Sequence, residues 1–311
     1  MSAPTINKTT TRQPDQQLGP PLVTIGLPCY NSERYIAQAI ESLLSQTFGN
    51  FKLIISDNAS TDATAAICQR YASTDPRVQY TRNPTNIGLT RNFNRVFELS
   101  NTKYFKWATA DDYSSPDMLA EAVAVLEGDP GIALCYPRTV LVDAEGQETN
   151  RYVDKLNLMQ DSAVERFKML VMEIGLVNHH LGLLRSDAIR RTRMWGRHVG
   201  ADIGFLAELC LYGKFAELPK FMFFRRFHGE SSSWARGNKA HEERRYHAPR
   251  NRIPFNTWRF HGAYLRAVLR SPLPLRDKFK LSRFLTRKLY WDSSPLGKEL
   301  LRDLPLIFRQ P

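Results

Sequence analysis

Across residues 22–108 the chain alternates short apolar runs with segments whose apolar residues recur every three or four positions, and few folds accommodate that pattern. Residues 22–27, 51–55, 78–81 and 104–108 read as strands. A first helix is expected after Ser32, which can cap it, with Tyr35, Ile36, Ala39, Ile40, Leu43 and Leu44 in one stripe. Further helices are predicted over about 61–72 and from 86 to about 99. Strands joined by helices at such short spacing imply right-handed crossovers and a parallel sheet. The fourth strand stops at Asp111 and Asp112, and Pro116 with Asp117 opens a helix over 116–127. Carboxylates that end a buried strand lie where open α/β sheets bind ligands. If the strand continued, Asp111 and Thr109 would share one side and Asp112 would face the other.

Downstream, strands are expected near 132–136 and 139–143, the second leading into a Glu145-Gly146 turn. Ser162 and Glu165 form a capping box for a helix to about 173. Residues 178–184 are apolar around His179 and His180, 201–212 have helical spacing, and 215–218 and 220–224 look like strands. Residues 229–238 are small and polar, a loop or lid. The four cysteines, Cys29, Cys68, Cys135 and Cys210, have no paired spacing, which argues against a zinc site or a disulfide framework. The first twenty residues are polar and lack a signal-peptide core, and no run nears the ~18 apolar residues of a membrane span.

Charge is unevenly placed. The net charge is +12, and residues 236–311, with 18 Lys/Arg against 6 Asp/Glu, hold all of it. Within that stretch 257–270 and 275–290 interleave Leu, Phe, Tyr and Trp with Lys and Arg at helical intervals. Two roles for such basic amphipathic helices stay open: packing on the preceding domain, or adsorption to an anionic membrane surface. A nucleic-acid partner is not expected, because the aromatic and basic residues follow a helical repeat and form no stacking platform.

The ordered segments 27–64, 86–94 and 108–112 together resemble the family 2 glycosyltransferases of GT-A fold, a Rossmann-like, mostly parallel sheet flanked by helices. The resemblance spans about 22–234 and implies a disordered arm (1–20), a GT-A domain (21–235) and a basic, helical C-terminal extension (236–311). It implies that Pro28, Tyr30 and Glu33 border the nucleoside, that Asp57 accepts a hydrogen bond from the base, and that Arg91 lies near the donor. Asp111 occupies the last position of the family's D-x-D metal motif, with Thr109 in place of the first aspartate; Asp112 would support the sugar or the strand end. His228, after Arg225 and Arg226, resembles a histidine that contacts the metal or diphosphate, and Asp202 falls at the position of the catalytic base.

The implied activity is inverting transfer of a sugar from a nucleotide-diphosphate sugar, UDP-linked by preference, to a hydroxyl of a glycan or lipid-linked acceptor. It would use Mg²⁺ or Mn²⁺ and proceed by single displacement, in the cytoplasm or against the inner membrane face. The non-enzymatic alternative is a nucleotide-sugar-binding protein whose metal chemistry lapsed with Thr109. A nucleotidyltransferase is disfavoured, since Pro28-Cys29-Tyr30-Asn31 is not a Gly-rich phosphate loop.

Overall fold

The computed structural model describes residues 19–196, 200–229 and 255–307. Nearly all of the expected arm, residues 230–238 of the expected lid and the start of the C-terminal extension lie outside the described residues.

Strands β1 (Val23–Cys29), β2 (Phe51–Asp57), β3 (Val78–Arg82) and β4 (Tyr104–Trp107) alternate with helices α1 (Ile36–Leu44), α2 (Thr64–Thr74) and α3 (Leu89–Glu98). They pair in parallel in the order β3-β2-β1-β4. The chain steps outward from β1 to β3, then returns so that β4 lies on the other side of β1. The carboxyl ends of β1 and β4 therefore flank the point where the winding direction switches, and a crevice opens there.

The second half comprises β5 (Tyr113–Ser114), α4 (Met118–Gly128), β6 (Ile132–Val142), β7 (Glu148–Tyr152), α5 (Ala163–Glu173), a 3₁₀ turn (Asn178–Leu181), β8 (Leu183–Arg185), α6 (Ser186–Arg191), α7 (Ala201–Leu209) and β9 (Lys214–Arg226). Beyond β4 the sheet continues β8-β6-β9-β5, with β7 paired to β6. β8 runs antiparallel to β4 and β6, and β5 antiparallel to β9, whereas β6 and β9 are parallel. The result is a mixed sheet flanked by helices, with a parallel half that matches the expected crossovers.

Three local expectations change. The paired strands foreseen at 132–136 and 139–143, and at 215–218 and 220–224, are each one long strand. Between Pro137 and Arg138 the register against β9 jumps from Leu218 to Phe221, a bulge that takes up Pro219 without ending either strand. Ser32 does not cap α1 with its side chain: its hydroxyl donates to the Tyr30 carbonyl, and its own carbonyl accepts from the Tyr35 and Ile36 amides. Ser162, by contrast, caps α5 as foreseen, accepting from the Glu165 amide.

Helices α8 (Asn256–Arg270) and α9 (Leu275–Trp291) match the two amphipathic stretches, and a third, α10 (Ser293–Ile307), follows. Two apolar clusters cover the two faces of the sheet. Phe105 and Trp107 of β4 enter one with Phe93, Val96, Phe167, Phe205, and Tyr264, Val268, Leu281 and Leu285 of α8 and α9. Tyr104, pointing the other way along the same strand, joins Ile36, Ile40, Met118 and Leu119 of α1 and α4. The inner faces of α8 and α9 thus pack on the domain, while their outer faces carry exposed Leu269, Leu275 and Phe279.

Close packing between α3 and the sheet depends on Gly26 in β1, where an added Cβ would lie 2.6 Å from the Phe105 ring and 2.7 Å from Val96 Cγ2. Gly26→Ala is expected to destabilise the chain by about 1–3 kcal/mol through overpacking, read as a lower urea midpoint at unchanged slope. A midpoint equal to the parent's would mean α3 can shift freely on the sheet.

Candidate active site

The loops after β1 and β2 lock together. Asn31 N–H donates to Ser60 Oγ (3.0 Å), Ser32 N–H to Thr64 Oγ1 (2.7 Å) and Glu33 N–H to Asp62 Oδ2 (3.1 Å). In return the Glu33 carboxylate accepts from Ala63 N–H at the start of α2 (2.8 Å), and Asn31 Oδ1 from Thr61 N–H (2.8 Å). Pro28 ends β1 opposite Ser56, and Tyr30 stands exposed beyond it. Asp57, at the end of β2, accepts from Ser60 N–H (2.9 Å), the Tyr80 hydroxyl (2.8 Å) and Arg82 (3.3 Å). Its side chain is 0% exposed, so the base contact foreseen for Asp57 is not available in this conformation. The residue acts on the crevice through the loop it anchors. Burial and the neighbouring Asp57 charge push the Tyr80 phenol pKa up.

At the end of β4 the strand stops at Trp107, so residues 109–112 do not alternate as a strand would. Thr109 turns toward Asp112, not toward Asp111, and donates its hydroxyl to Asp112 Oδ2 at 2.5 Å. Asp112 Oδ1 accepts from the Arg226 amide (2.8 Å). Burial, and then the neighbouring Asp111 charge, push the Asp112 carboxyl up to about 7, with Arg225 acting in the opposite sense. Asp112 thus ties the strand end to β9. Asp111 remains at the surface of the crevice, its Oδ2 3.3 Å from Nε2 of His228, which follows β9 directly. The His228 ring lies against Tyr35, with centroids 5.0 Å apart.

Successive residues of β9 face opposite ways, so Arg225 and Arg226 do different work. Arg225 donates to the Leu176 carbonyl (2.6 Å) and to Asn178 Oδ1. Arg226 is buried and spent on protein acceptors: Nε to the Asp111 carbonyl (3.1 Å), Nη1 to the carbonyls of Asp143 and Ala144, and Nη2 to Gln38 Oε1 of α1 (2.7 Å). Its guanidinium also lies 4.6 Å from the Tyr35 ring centre. Sequence reasoning missed this organising role, and a cluster of two arginines before His228 was its only local signal.

Asp202 sits in the first turn of α7, after Gly200, whose φ of +78° lies in the left-handed region. One turn on, Phe205 packs edge-on to Trp107 (5.3 Å), which brings the start of α7 to the carboxyl end of β4. The Asp202 charge reaches Tyr264 of α8, where burial is the larger cause of a raised phenol pKa. Arg91 is exposed in the first turn of α3, whose entry is held by the Ile87 N–H bond to Asn58 Oδ1 (2.9 Å).

A divalent cation fits the donors at the mouth of this crevice. A carboxylate oxygen and an imidazole nitrogen 3.3 Å apart match neighbouring corners of an octahedron, whose edge is about 3 Å for bonds near 2.1 Å. Among the described residues no group of three or more acidic, His or Cys side chains converges.

A mixed sheet flanked by helices, with its crevice at the switch point and the carboxylates after β4, is the GT-A fold, and the C-terminal helices α8 to α10 accompany it. The chain belongs to Glycosyl transferase family 2, whose signature matches residues 24–191. It is 26% identical over 219 residues to the chondroitin synthase of Escherichia coli, covering 68% of this chain but only 30% of that protein. TarS 1–349 of S. aureus, solved with UDP-GlcNAc, superposes with a TM-score of 0.65 at 16% identity, over 86% of this chain and 72% of that one. A mannosyltransferase of Pyrobaculum calidifontis, solved with GDP-Man and Mn²⁺, gives 0.51 at 16% identity, over 94% and 82%. At such identities the two structures speak to the fold alone.

Asn178, His179 and His180, foreseen as either lining the acceptor side or packing in the core, are all buried. His179 Nε2 lies 3.4 Å from Asp154 Oδ1. Burial pushes the Asp154 carboxyl up to about 7 and His179 down to about 3. Relative to an unfolded carboxyl near about 3.9, the folded chain binds the Asp154 proton more tightly. That contribution to stability is full below about pH 4 and lost as pH rises to about 7. His179 works oppositely: its contribution is full above about pH 6.5 and lost as pH falls toward 3. Asp154→Asn removes only the first, so its stability relative to the parent should climb between about pH 4 and 7 and level off above. Urea unfolding across that range checks this, and a difference independent of pH would contradict it.

Proposed function

We propose that the chain is an inverting, metal-assisted glycosyltransferase that moves a sugar from a nucleotide-diphosphate sugar to a hydroxyl of a glycan or lipid-linked acceptor. The carrying observation is the approach of Asp111 to His228, 3.3 Å apart at the switch-point crevice of a family 2 chain. A UDP-sugar is favoured as donor, in keeping with the UDP-GlcNAc bound to the similarly folded TarS. In this proposal residues 21–235 form the catalytic unit and 236–311 its basic extension.

The interlocked loops bearing Pro28, Tyr30 and Glu33 seat the nucleoside, with Asp57 anchoring the second of them from below. Asp111 and His228 would hold Mg²⁺ or Mn²⁺, which supplies positive charge to the departing diphosphate. Asp112 and Arg226 keep the Asp111 backbone in place, and Arg225 adds positive potential behind it. Asp202 takes the proton from the acceptor hydroxyl as its oxygen bonds to the anomeric carbon and the bond to the diphosphate breaks. Attack from the face opposite the leaving group inverts that carbon. Removing such a base typically costs about 10²–10⁴ in rate. Asp202→Asn should therefore lose turnover by about that factor, while a UDP-sugar with Mn²⁺ still raises its melting temperature as in the parent. Full turnover in the variant would remove Asp202 from this role, whereas binding of the UDP-sugar without any turnover in the parent would favour the non-catalytic nucleotide-sugar-binding alternative.

The same proposal puts the enzyme in the cytoplasm, against the inner membrane face. No helix of the described residues is long and apolar enough to cross a membrane. On α9, Leu275, Phe279 and Tyr290 are 84%, 71% and 76% exposed. Helical spacing places them in one stripe, bordered by exposed Arg276, Lys280, Arg283 and Arg287. Leu281 and Leu285 on the opposite face are the ones that pack. An apolar stripe with a basic border suits an anionic bilayer surface, where each basic residue adds about 1 kcal/mol. The full chain should sediment with vesicles containing phosphatidylglycerol but not with pure phosphatidylcholine. Phe279→Glu combined with Arg283→Glu should lower that binding by at least about tenfold; equal binding by the variant would exclude α9 as the contact.

A further inference from the structure

We propose that a pocket between α3 and Trp195 binds an anionic group, carboxylate or phosphate, carried by the acceptor saccharide; this rests on the glycosyltransferase proposal and names its substrate class. The cavity measures about 360 Å³ and is lined by Ile87, Arg91, Asn94, Arg95, Glu98 and Trp195.

Three features point to an anion. Arg91 and Arg95 stand one helical turn apart on the same wall, and neither guanidinium has a hydrogen-bond or ion-pair partner among the described residues. Arg95 Nε is buried without a partner, and so is the indole Nε1 of Trp195, a side chain only 7% exposed. Two guanidinium groups on one wall, without partners among the described residues, attract a carboxylate or phosphate oxygen, which pairs with them through charge-assisted bonds. Finally, α3 has no acidic residue in its first turn, so the positive end of the helix and Arg91 reinforce each other. Among the described lining residues Glu98 is the acidic one; it lies one turn from Arg95 and two turns from Arg91.

The pocket is also built to hold its shape. Asn94 fixes Trp195 through two backbone bonds, Nδ2 to the Trp195 carbonyl (3.0 Å) and Oδ1 from its amide (3.1 Å). The Trp195 ring stacks on Phe93 (4.5 Å) and lies 6.4 Å from Phe205 of α7. These contacts decide which substrate the pocket serves. Phe93, Trp195 and Phe205 belong to the apolar cluster on the sheet face that carries α7 and Asp202. His228 packs instead on Tyr35, just before α1, on the face where the donor diphosphate is proposed to lie. Arg guanidinium groups match carboxylate and phosphate geometry in two-pronged fashion. An acceptor with an acidic sugar or a phosphodiester next to its reactive hydroxyl would be held there while the hydroxyl meets Asp202.

The test is a titration of the full, ¹⁵N-labelled chain with inorganic phosphate, with glucuronate, and with glucose as the neutral control. The side-chain N–H signals of Arg95 and Trp195, assigned through Arg95→Gln and Trp195→Phe, are followed. Phosphate or glucuronate should move both signals and glucose should move neither, and exposed Arg91→Gln should weaken the anion's binding by about tenfold. No movement with either anion at millimolar concentration, or equal movement with glucose, overturns the proposal. A UDP titration that moves the same two signals and competes with phosphate also overturns it, assigning the pocket to the donor. The donor proposal is judged separately, by the rise in melting temperature with a UDP-sugar and Mn²⁺, which Arg91→Gln and Arg95→Gln should retain if the pocket serves the acceptor.

Discussion

The crevice depends on one buried guanidinium. Arg226 closes β9 with its amide on Asp112 and its side chain on the Asp111 carbonyl, on Gln38 of α1 and on the turn after β6. Four otherwise separate pieces of chain meet on that one planar fork. Its acceptors are mostly neutral carbonyl oxygens, so the cation is held by hydrogen bonds in a fixed geometry and not by a mobile ion pair. The Asp111 backbone is held through its carbonyl, and its carboxylate meets His228.

A second division of labour follows from the alternation of β4. Phe105 and Trp107 anchor the face bearing α3, α5 and α7, whereas Tyr104 anchors the face bearing α1 and α4. His228 leans on Tyr35 at the second face, and Trp195 and Phe205 pack on the first. Groups proposed to act on the leaving diphosphate and on the incoming hydroxyl are therefore set by packing clusters on different faces of the sheet.

Much of this was legible in the chain. The first four strands and their helices announce themselves because each apolar run is closed by turn chemistry, and the capping box at Ser162 did start a helix. The short strands β5 and β8, of two and three residues, carry no periodicity to detect. Pro137 and Pro219 look like strand breakers, but a bulge absorbs them within a continuous ladder. Helix α10 contains Pro295, Gly297 and Pro305, poor helix formers, and is tied down by Glu299, which accepts from the Thr257 amide at the start of α8. Tertiary contact overrode propensity there.

From the sequence alone came the four strands and their parallel pairing, the placement of Asp57 and of Asp111–Asp112 at carboxyl ends, and the basic, amphipathic character of the C-terminal stretch. These are local properties: periodicity, turn residues and charge are all written within a dozen positions. Only the tertiary structure decided that Thr109 serves Asp112, that Arg226 faces inward while Arg225 turns to Asn178, and that His228 meets Asp111 across 117 residues of chain. A local pattern holds no record of which distant segment will lie beside it. That choice is made when β9 settles against β6 and β5, and the packing of the whole sheet selects it.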